Sequence, residues 1–252
     1  MKIIVSVKQV PARDSALKVN SDGKWLDESD LTFEMNEPDA YALEEALQLR
    51  EKLGGEVVVL CAGPERVTQT IREALAKGAD RAIHVEVSAD GGLDALATAQ
   101  ILAKALEGEA PDLILTGLQS EDLGYGQTGV VLAELLGFAH ATIVREVEPL
   151  DATVRVKREL EDGWFQNVVL PLPAVLTIQS GIKKLRYATL MGIKKAKTKE
   201  VRTIPAASTT PAAQIDKVYL PQRSKQSQIL TGDPKEVAKQ LVEKLKFEAR
   251  VI

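Results

Sequence analysis

Glu56-Val57-Val58-Val59-Leu60-Cys61 is a short run of apolar, mostly β-branched residues closed by Ala62-Gly63-Pro64. A continuous run of this kind suits a strand covered on both faces. Residues 67–77 follow with helical character and stop at Gly78, and Arg81-Ala82-Ile83-His84-Val85-Glu86-Val87 is again strand-like. Strand, helix and strand in close succession form one crossover unit, and such units are right-handed and build parallel sheets.

The same unit recurs on either side. Upstream, residues 3–7 read as a buried strand. A helix over 39–53 follows, with Leu43, Ala46, Leu47 and Arg50 at helical spacing and Gly54-Gly55 at its end. Downstream come a helix over 95–106, a strand over 113–116 that turns at Gly117, and a helix over 127–136 ended by Gly137. The pattern predicts an α/β fold with a doubly wound, mostly parallel sheet of Rossmann-like type.

After Phe138 the character changes. Residues 154–161 and 164–170 flank Asp162-Gly163 and predict a β-hairpin with a type I′ turn. Residues 174–178 form another strand; a basic segment from Lys183 to Lys199 follows, its lysines at 194, 195, 197 and 199 reading as a solvated face, and a Pro/Ala/Ser/Thr stretch over 204–214 reads as an exposed linker or arm. Asp233 can cap a last helix over 235–247, with Pro234 at its first position. The expected organisation is a nucleotide-binding domain over 1–190 and a C-terminal extension over 191–252, either a free tail or, as its capped last helix favours, an arm that lies on another subunit.

Composition narrows the function. A net charge of −4 gives no basic face for nucleic acid. No apolar run approaches the roughly 20 residues that span a bilayer, and the N-terminus is too short and strand-like for a secretory signal. A lone cysteine, Cys61, fits a reducing compartment, and with only His84 and His140 beside it no metal-ligand spacing appears. His84 reads as packed within a strand, and His140 as part of an Ala-His-Ala-Thr turn without a nucleophile beside it. The carboxylates of Glu159, Glu161 and Asp162 flank a turn, where solvation explains them better than acid–base catalysis. No catalytic constellation emerges.

Ligands of open parallel sheets bind outside the carboxyl ends of the strands, where strand order reverses. Three loops leave such ends: Lys8-Gln9-Val10-Pro11, Ala62-Gly63-Pro64, and Gly117 to Thr128. The last carries Gly117, Gly124 and Gly126 and runs into a helix at Thr128, a ready site for a phosphate on free N–H groups. It has neither a Gly-Lys-Ser/Thr phosphate loop nor a GxGxxG placed directly after a strand. A long surface connection is the competing account, although loops of this length in compact domains are usually functional.

The segment Val156-Lys157-Arg158-Glu159-Leu160-Glu161-Asp162-Gly163-Trp164-Phe165-Gln166-Asn167-Val168-Val169-Leu170-Pro171-Leu172-Pro173-Ala174-Val175-Leu176-Thr177 resembles the signature of the electron-transfer flavoprotein beta-subunit family. Further blocks agree in order: Val7-Lys8-Gln9-Val10-Pro11, Ala42-Leu43-Glu44-Glu45-Ala46, Gly78-Ala79-Asp80-Arg81, Gln127-Thr128-Gly129, Arg186-Tyr187-Ala188-Thr189-Leu190 and Pro221-Gln222-Arg223.

The resemblance implies a fold of the adenine-nucleotide-hydrolase and universal-stress type and a heterodimer with an alpha subunit that holds most of the FAD. This chain would form a shallow bowl beneath the flavin domain. It would bind AMP through Ser6, Asn36, Ala62, Gly117, Gln119, Ser120, Asp122 and Gly126, with the phosphate near Gln127, Thr128 and Gly129. Asn36-Glu37-Pro38 departs from the family's Asn-Pro, which puts backbone contacts at Glu37 in doubt. Bifurcating members hold a second FAD in the AMP site, and Gln127-Thr128-Gly129 looks closer to the AMP-binding branch.

By the same resemblance, Ile182 or Leu185 would be the apolar anchor, beside Arg186 and Tyr187, that docks acyl-CoA and related dehydrogenases, and Glu159 would pair with an arginine of the partner's flavin domain. Electrons would pass on to a membrane quinone oxidoreductase, with the chain itself soluble in the cytoplasm, or in the mitochondrial matrix of a eukaryote. A turn with one buried aliphatic accounts for Ile182 equally well. Two other readings compete: a stand-alone universal-stress-type ATP/AMP module, which would leave the C-terminal arm without use, and an adenylating or pyrophosphatase-like enzyme, which would need a Ser-Gly-Gly-type loop where Lys8-Gln9-Val10-Pro11 stands.

Overall fold

Lys2–Ser6 (β1) occupies the centre of a nine-stranded sheet in the computed structural model, which describes residues 1–88, 92–221 and 227–252. From β1 the chain passes through Glu37–Leu53 (α1) to Glu56–Gly63 (β4), then through Thr68–Lys77 (α2) to Arg81–Glu86 (β5). Between β1 and α1 a two-stranded antiparallel ribbon, Gln9–Pro11 (β2) with Phe33–Met35 (β3), stands outside the main sheet. The helix Ala95–Ala105 (α3) returns the chain to Leu113–Gly117 (β6), on the other side of β1. Strand order therefore reverses between β1 and β6.

Thr128–Leu136 (α4) follows, then Ala139–Pro149 (β7), Thr153–Glu159 (β8), Phe165–Pro171 (β9) and Ala174–Ile178 (β10). Beyond these lie the short helix Leu190–Ala196 (α5) and the strand Val201–Pro205 (β11). The sheet runs β11-β5-β4-β1-β6-β10-β7-β8-β9, parallel from β11 to β7 and antiparallel over the last two pairings. This is the doubly wound, mostly parallel α/β architecture that the sequence pattern predicts.

The central strands are apolar throughout because both faces are covered. Ile3, Val5, Val57, Val59, Leu113 and Leu115 point to one side, against Leu43 and Leu47 of α1 and Ile71 and Leu75 of α2. Ile4, Val58, Leu60, Ile114 and Val175 point to the other, against Ile101 and Leu102 of α3 and Leu132 of α4. Each such side chain contributes about 1.5–3 kcal/mol when fully buried.

The hairpin β8–β9 turns where Asp162 and Gly163 have φ of 56° and 77°, the two left-handed residues of a type I′ turn. Two expectations need correction, and one segment gains a helix. Residues 139–149, including His140, are a strand and not a turn, because β10 offers them a parallel partner in the register Val175↔His140. Ile204 and Pro205 belong to β11, which pairs with β5, so the exposed stretch starts after them. The basic segment contains α5, capped by Thr189.

By its contacts the chain divides into Met1–Val218 and Tyr219–Ile252. Residues 191–218 thus lie with the first unit, where the sequence reading drew its boundary at 190; α5 packs on α2 and β11 extends the sheet. The second unit contains the helix Pro234–Phe247 (α6), with the Asp233 carboxylate accepting from the Lys235 N–H at 3.0 Å. None of its side chains is buried, and Val237, Leu241 and Leu245 recur every four residues. Among the described residues no helix is long and apolar enough to cross a membrane. Gln222 and Arg223 of the resemblance lie outside the described residues.

Candidate functional site

A cleft of about 640 Å³ opens above the carboxyl ends of β1, β4 and β6, at the place where strand order reverses. The structure brings together at this cleft every residue named for nucleotide binding: Ser6, Asn36, Ala62, Gly117, Gln119, Ser120, Asp122, Gly126, Gln127, Thr128 and Gly129. Their elements explain the convergence. Ser6 ends β1, Ala62 lies near the end of β4, Gly117 ends β6, and Thr128 and Gly129 open α4.

The loop over 118–127 is held by α1. Asn36, just before that helix, donates from Nδ2 to the Gln119 carbonyl at 3.0 Å and accepts the Glu121 N–H on Oδ1 at 3.0 Å. Asp39, in the first turn of α1, accepts the Lys8 N–H on Oδ2 at 2.8 Å and the Gly117 N–H on Oδ1 at 2.9 Å. One buried carboxylate therefore ties together the loops leaving the two strands that flank the reversal. Burial pushes this carboxyl up to about 7, against the opposing pull of its two N–H donors.

Gly117 has no space for a side chain, because a Cβ there would collide with the Asp39 carboxylate and with Pro38. Gly129 is as confined: a Cβ would lie 2.6 Å from Cγ2 of Thr177 and 2.8 Å from Oγ1 of Thr116. Gly124 and Gly126, with φ of 65° and 62°, make the left-handed bends that carry the loop back to α4. Gln127 gives α4 no side-chain cap. The N–H groups of that first turn are thus left to face the cleft, where the helix dipole favours an anion.

Charges gather at the mouth. The Lys8 ammonium reaches the Asp122 carboxylate at 2.7 Å and the Ser120 hydroxyl at 3.4 Å. Partial burial works to raise the Asp122 carboxyl, but the Lys8 charge and hydrogen bond outweigh it and hold it below the usual range. Arg13 pairs with Glu37 and Glu121. Arg66 pairs with Glu28 at 2.9 Å, bonds the Gln9 side chain at 3.0 Å and stacks over Phe33 at 4.1 Å. Asp39, Arg13 and Arg66 were not singled out by sequence reasoning, and Lys8 only as part of the loop that leaves β1. The signal at Asp39 was its place just after Asn36-Glu37-Pro38; for the others, pairing across distant loops left none.

The residues named for docking lie elsewhere. Ile182 and Leu185 are half-buried and pack against the core, whereas Tyr187 is 92% exposed and Leu190 and Met191 are 81% and 61% exposed. Arg186 is engaged with Glu44 and Glu51. Glu159 lies 3.8 Å from Arg145 of the same chain, half-exposed at the hairpin. His84 is buried, its Nε2 2.9 Å from the Gly63 carbonyl oxygen, and Cys61 is buried in β4.

The model of the electron transfer flavoprotein domain matches residues 24–209. An electron transfer flavoprotein subunit beta from Methylophilus methylotrophus is 40% identical over 243 residues, covering 91% of this chain and 92% of that protein. The chain belongs to the electron-transfer flavoprotein beta-subunit family. The subunit beta of Mus musculus is 35% identical over 259 residues, 100% of this chain and 99% of the relative, and that of Bradyrhizobium diazoefficiens is 42% identical over 80% of each. The 24–209 match takes in most of the cleft and the whole docking segment, and the family's name implies flavin chemistry.

Proposed function

We propose that this chain is the electron-carrier half of a heterodimer, holding AMP in the cleft at the β1/β6 reversal while an alpha subunit holds most of the FAD. FAD held there would supply the redox chemistry, and the complex would accept electrons from acyl-CoA and related dehydrogenases and pass them to a membrane quinone oxidoreductase. The observation that carries the reading is the uncapped first turn of α4 at the cleft, where Gly129 lets that turn lie close on the sheet and Gly117 lets the end of β6 lie close on α1. A nucleotide phosphate would rest on the N–H groups of Gln127, Thr128 and Gly129, and Asn36 and Asp39 would hold the surrounding loops in place.

The segment over 182–191 serves as the dehydrogenase-docking face, through its exposed Tyr187 and Leu190 beside the inward-packed Ile182 and Leu185. Glu159 exchanges Arg145 for an arginine of the flavin domain, and the C-terminal stretch, α6 included, packs on the alpha subunit through Val237, Leu241 and Leu245. A cytoplasmic or mitochondrial-matrix setting goes with this role.

The test is co-expression with an alpha subunit, followed by mass spectrometry of the nucleotides released from the purified complex. One FAD and one AMP per heterodimer is the expected result. Two FAD and no AMP would place the chain in the bifurcating branch, and a flavin-free homodimer carrying ATP would replace this reading with a regulatory nucleotide-binding module.

A further inference from the structure

The docking segment has little backbone structure of its own. Among the described residues, no N–H of residues 181–188 donates to another backbone group. The segment lies instead against α1, through side chains. The Arg186 guanidinium bonds Glu44 at 2.8 and 3.0 Å and Glu51 at 2.6 and 3.2 Å, while the Arg186 N–H also reaches Glu44, at 3.3 Å. Glu44 and Glu51 are seven residues apart, two helical turns, so they share one face of α1. Glu45 beside them is 1% exposed; its Oε2 has no hydrogen-bond partner among the described residues and lies 3.5 Å from the Lys183 ammonium.

Burial decides how much these contacts matter. Exposed ion pairs contribute little, because water competes and long side chains lose freedom. Here Glu44 and Glu45 are 4% and 1% exposed, and Glu44 meets a planar guanidinium through both oxygens. Removing Arg186 would leave the buried Glu44 with the Gln48 side-chain amide and no cation among the described residues, and removing Glu44 would leave the guanidinium on the exposed Glu51. The acidic groups of α1 that face the segment are Glu44, Glu45 and Glu51, and the facing cations are Lys183 and Arg186.

We propose that the acidic face of α1 is a latch that sets the conformation of the docking segment: Glu44 and Glu51 clamp Arg186, Glu45 holds Lys183, and Tyr187 and Leu190 are thereby kept facing outward. Glu44 is a positioning residue. It touches no ligand, and it acts by fixing the Arg186 N–H, the one backbone N–H of residues 181–188 with a partner among the described residues. The proposal rests on the docking role given above, so its test separates the two.

The experiment uses the purified heterodimer and two readouts. Hydrogen–deuterium exchange reports the order of residues 183–191, and steady-state reduction of the flavin by an acyl-CoA dehydrogenase, varied in concentration, reports docking. Glu44→Gln should speed exchange of the Arg186 N–H, which Glu44 accepts, by about tenfold or more, leave exchange in β1 and β6 unchanged, and raise the KM for the dehydrogenase with kcat preserved. Glu51→Gln, at a half-exposed position, should produce the same change at smaller amplitude, and it keeps the test alive if Glu44→Gln folds poorly. Unchanged exchange in Glu44→Gln, or in Glu51→Gln where only that variant folds, overturns the latch. The docking role is judged apart from it: if Tyr187→Ala with Leu190→Ala leaves the KM unaltered, that role falls, and the exchange data still decide the latch.

Discussion

The carboxylate of Asp39 accepts the backbone N–H of Gly117 at 2.9 Å, joining the first turn of α1 to the end of β6. The same group also receives the Lys8 N–H, so β1, β6 and α1 share one buried acceptor at the floor of the cleft. Burial raises its carboxyl to about 7 in the fold, from about 3.9 in an unfolded chain. The folded state then binds the extra proton between these values, and stability falls as pH rises through that window. Urea midpoints of the native chain, taken relative to Asp39→Asn, should decline from pH 4 to pH 7 and level off above it. Asn places an N–H where an acceptor is needed, so the variant should also lose about 1–3 kcal/mol at low pH. Parallel curves would mean that Asp39 titrates normally.

Asn36 should matter to the cleft more than to the fold. Its side chain satisfies the Gln119 carbonyl and the Glu121 N–H, a tie to the loop backbone that the exposed Arg13 bridge between Glu37 and Glu121 does not replace. Asn36→Ala is expected to cost about 1–2 kcal/mol of stability. It should also lower the nucleotide that co-purifies with the heterodimer, read by mass spectrometry against FAD as internal reference. Full retention of nucleotide would remove Asn36 from the site.

Gly129→Ala tests the close approach of α4 to the sheet. The added methyl meets Thr177 and Thr116 on two central strands, neither of which can give way easily. Overpacking of this kind costs about 1–3 kcal/mol. Displacement of the α4 N-terminus should weaken nucleotide binding, while Gly137→Ala, which meets no neighbouring atoms but has φ of 67°, should cost stability alone.

Cys61 supplies a silent control. Its thiol is buried in β4, and burial pushes it up to about 12. The native chain should therefore resist alkylation at pH 8 and react fully in denaturant, since the thiolate is the reactive species. Fast labelling of the native chain would show that β4 opens.

The doubly wound sheet was legible from residues 56–87 and their flanking repeats because strands covered on both faces must be continuously apolar and their crossover helices amphipathic. That constraint acts on short windows, so each window carries its own evidence. Gly117, Gly124 and Gly126 stood out for a similar reason, since bends and close approaches demand glycine locally, whereas Gly129 entered through the family resemblance. β7 and β11 were not legible: His140 and Arg145 interrupt the first, Arg202 and Thr203 the second, and each is a strand only because β10 or β5 offers an edge. The roles of Asp39 and Glu44 came into view only in the folded chain. A carboxylate near a helix start, or one in a run of Glu44-Glu45, reads as solvated in sequence. It becomes a shared acceptor or a clamp only when folding brings Gly117 or Arg186 to it from 78 or 142 residues away and excludes the water that would otherwise compete.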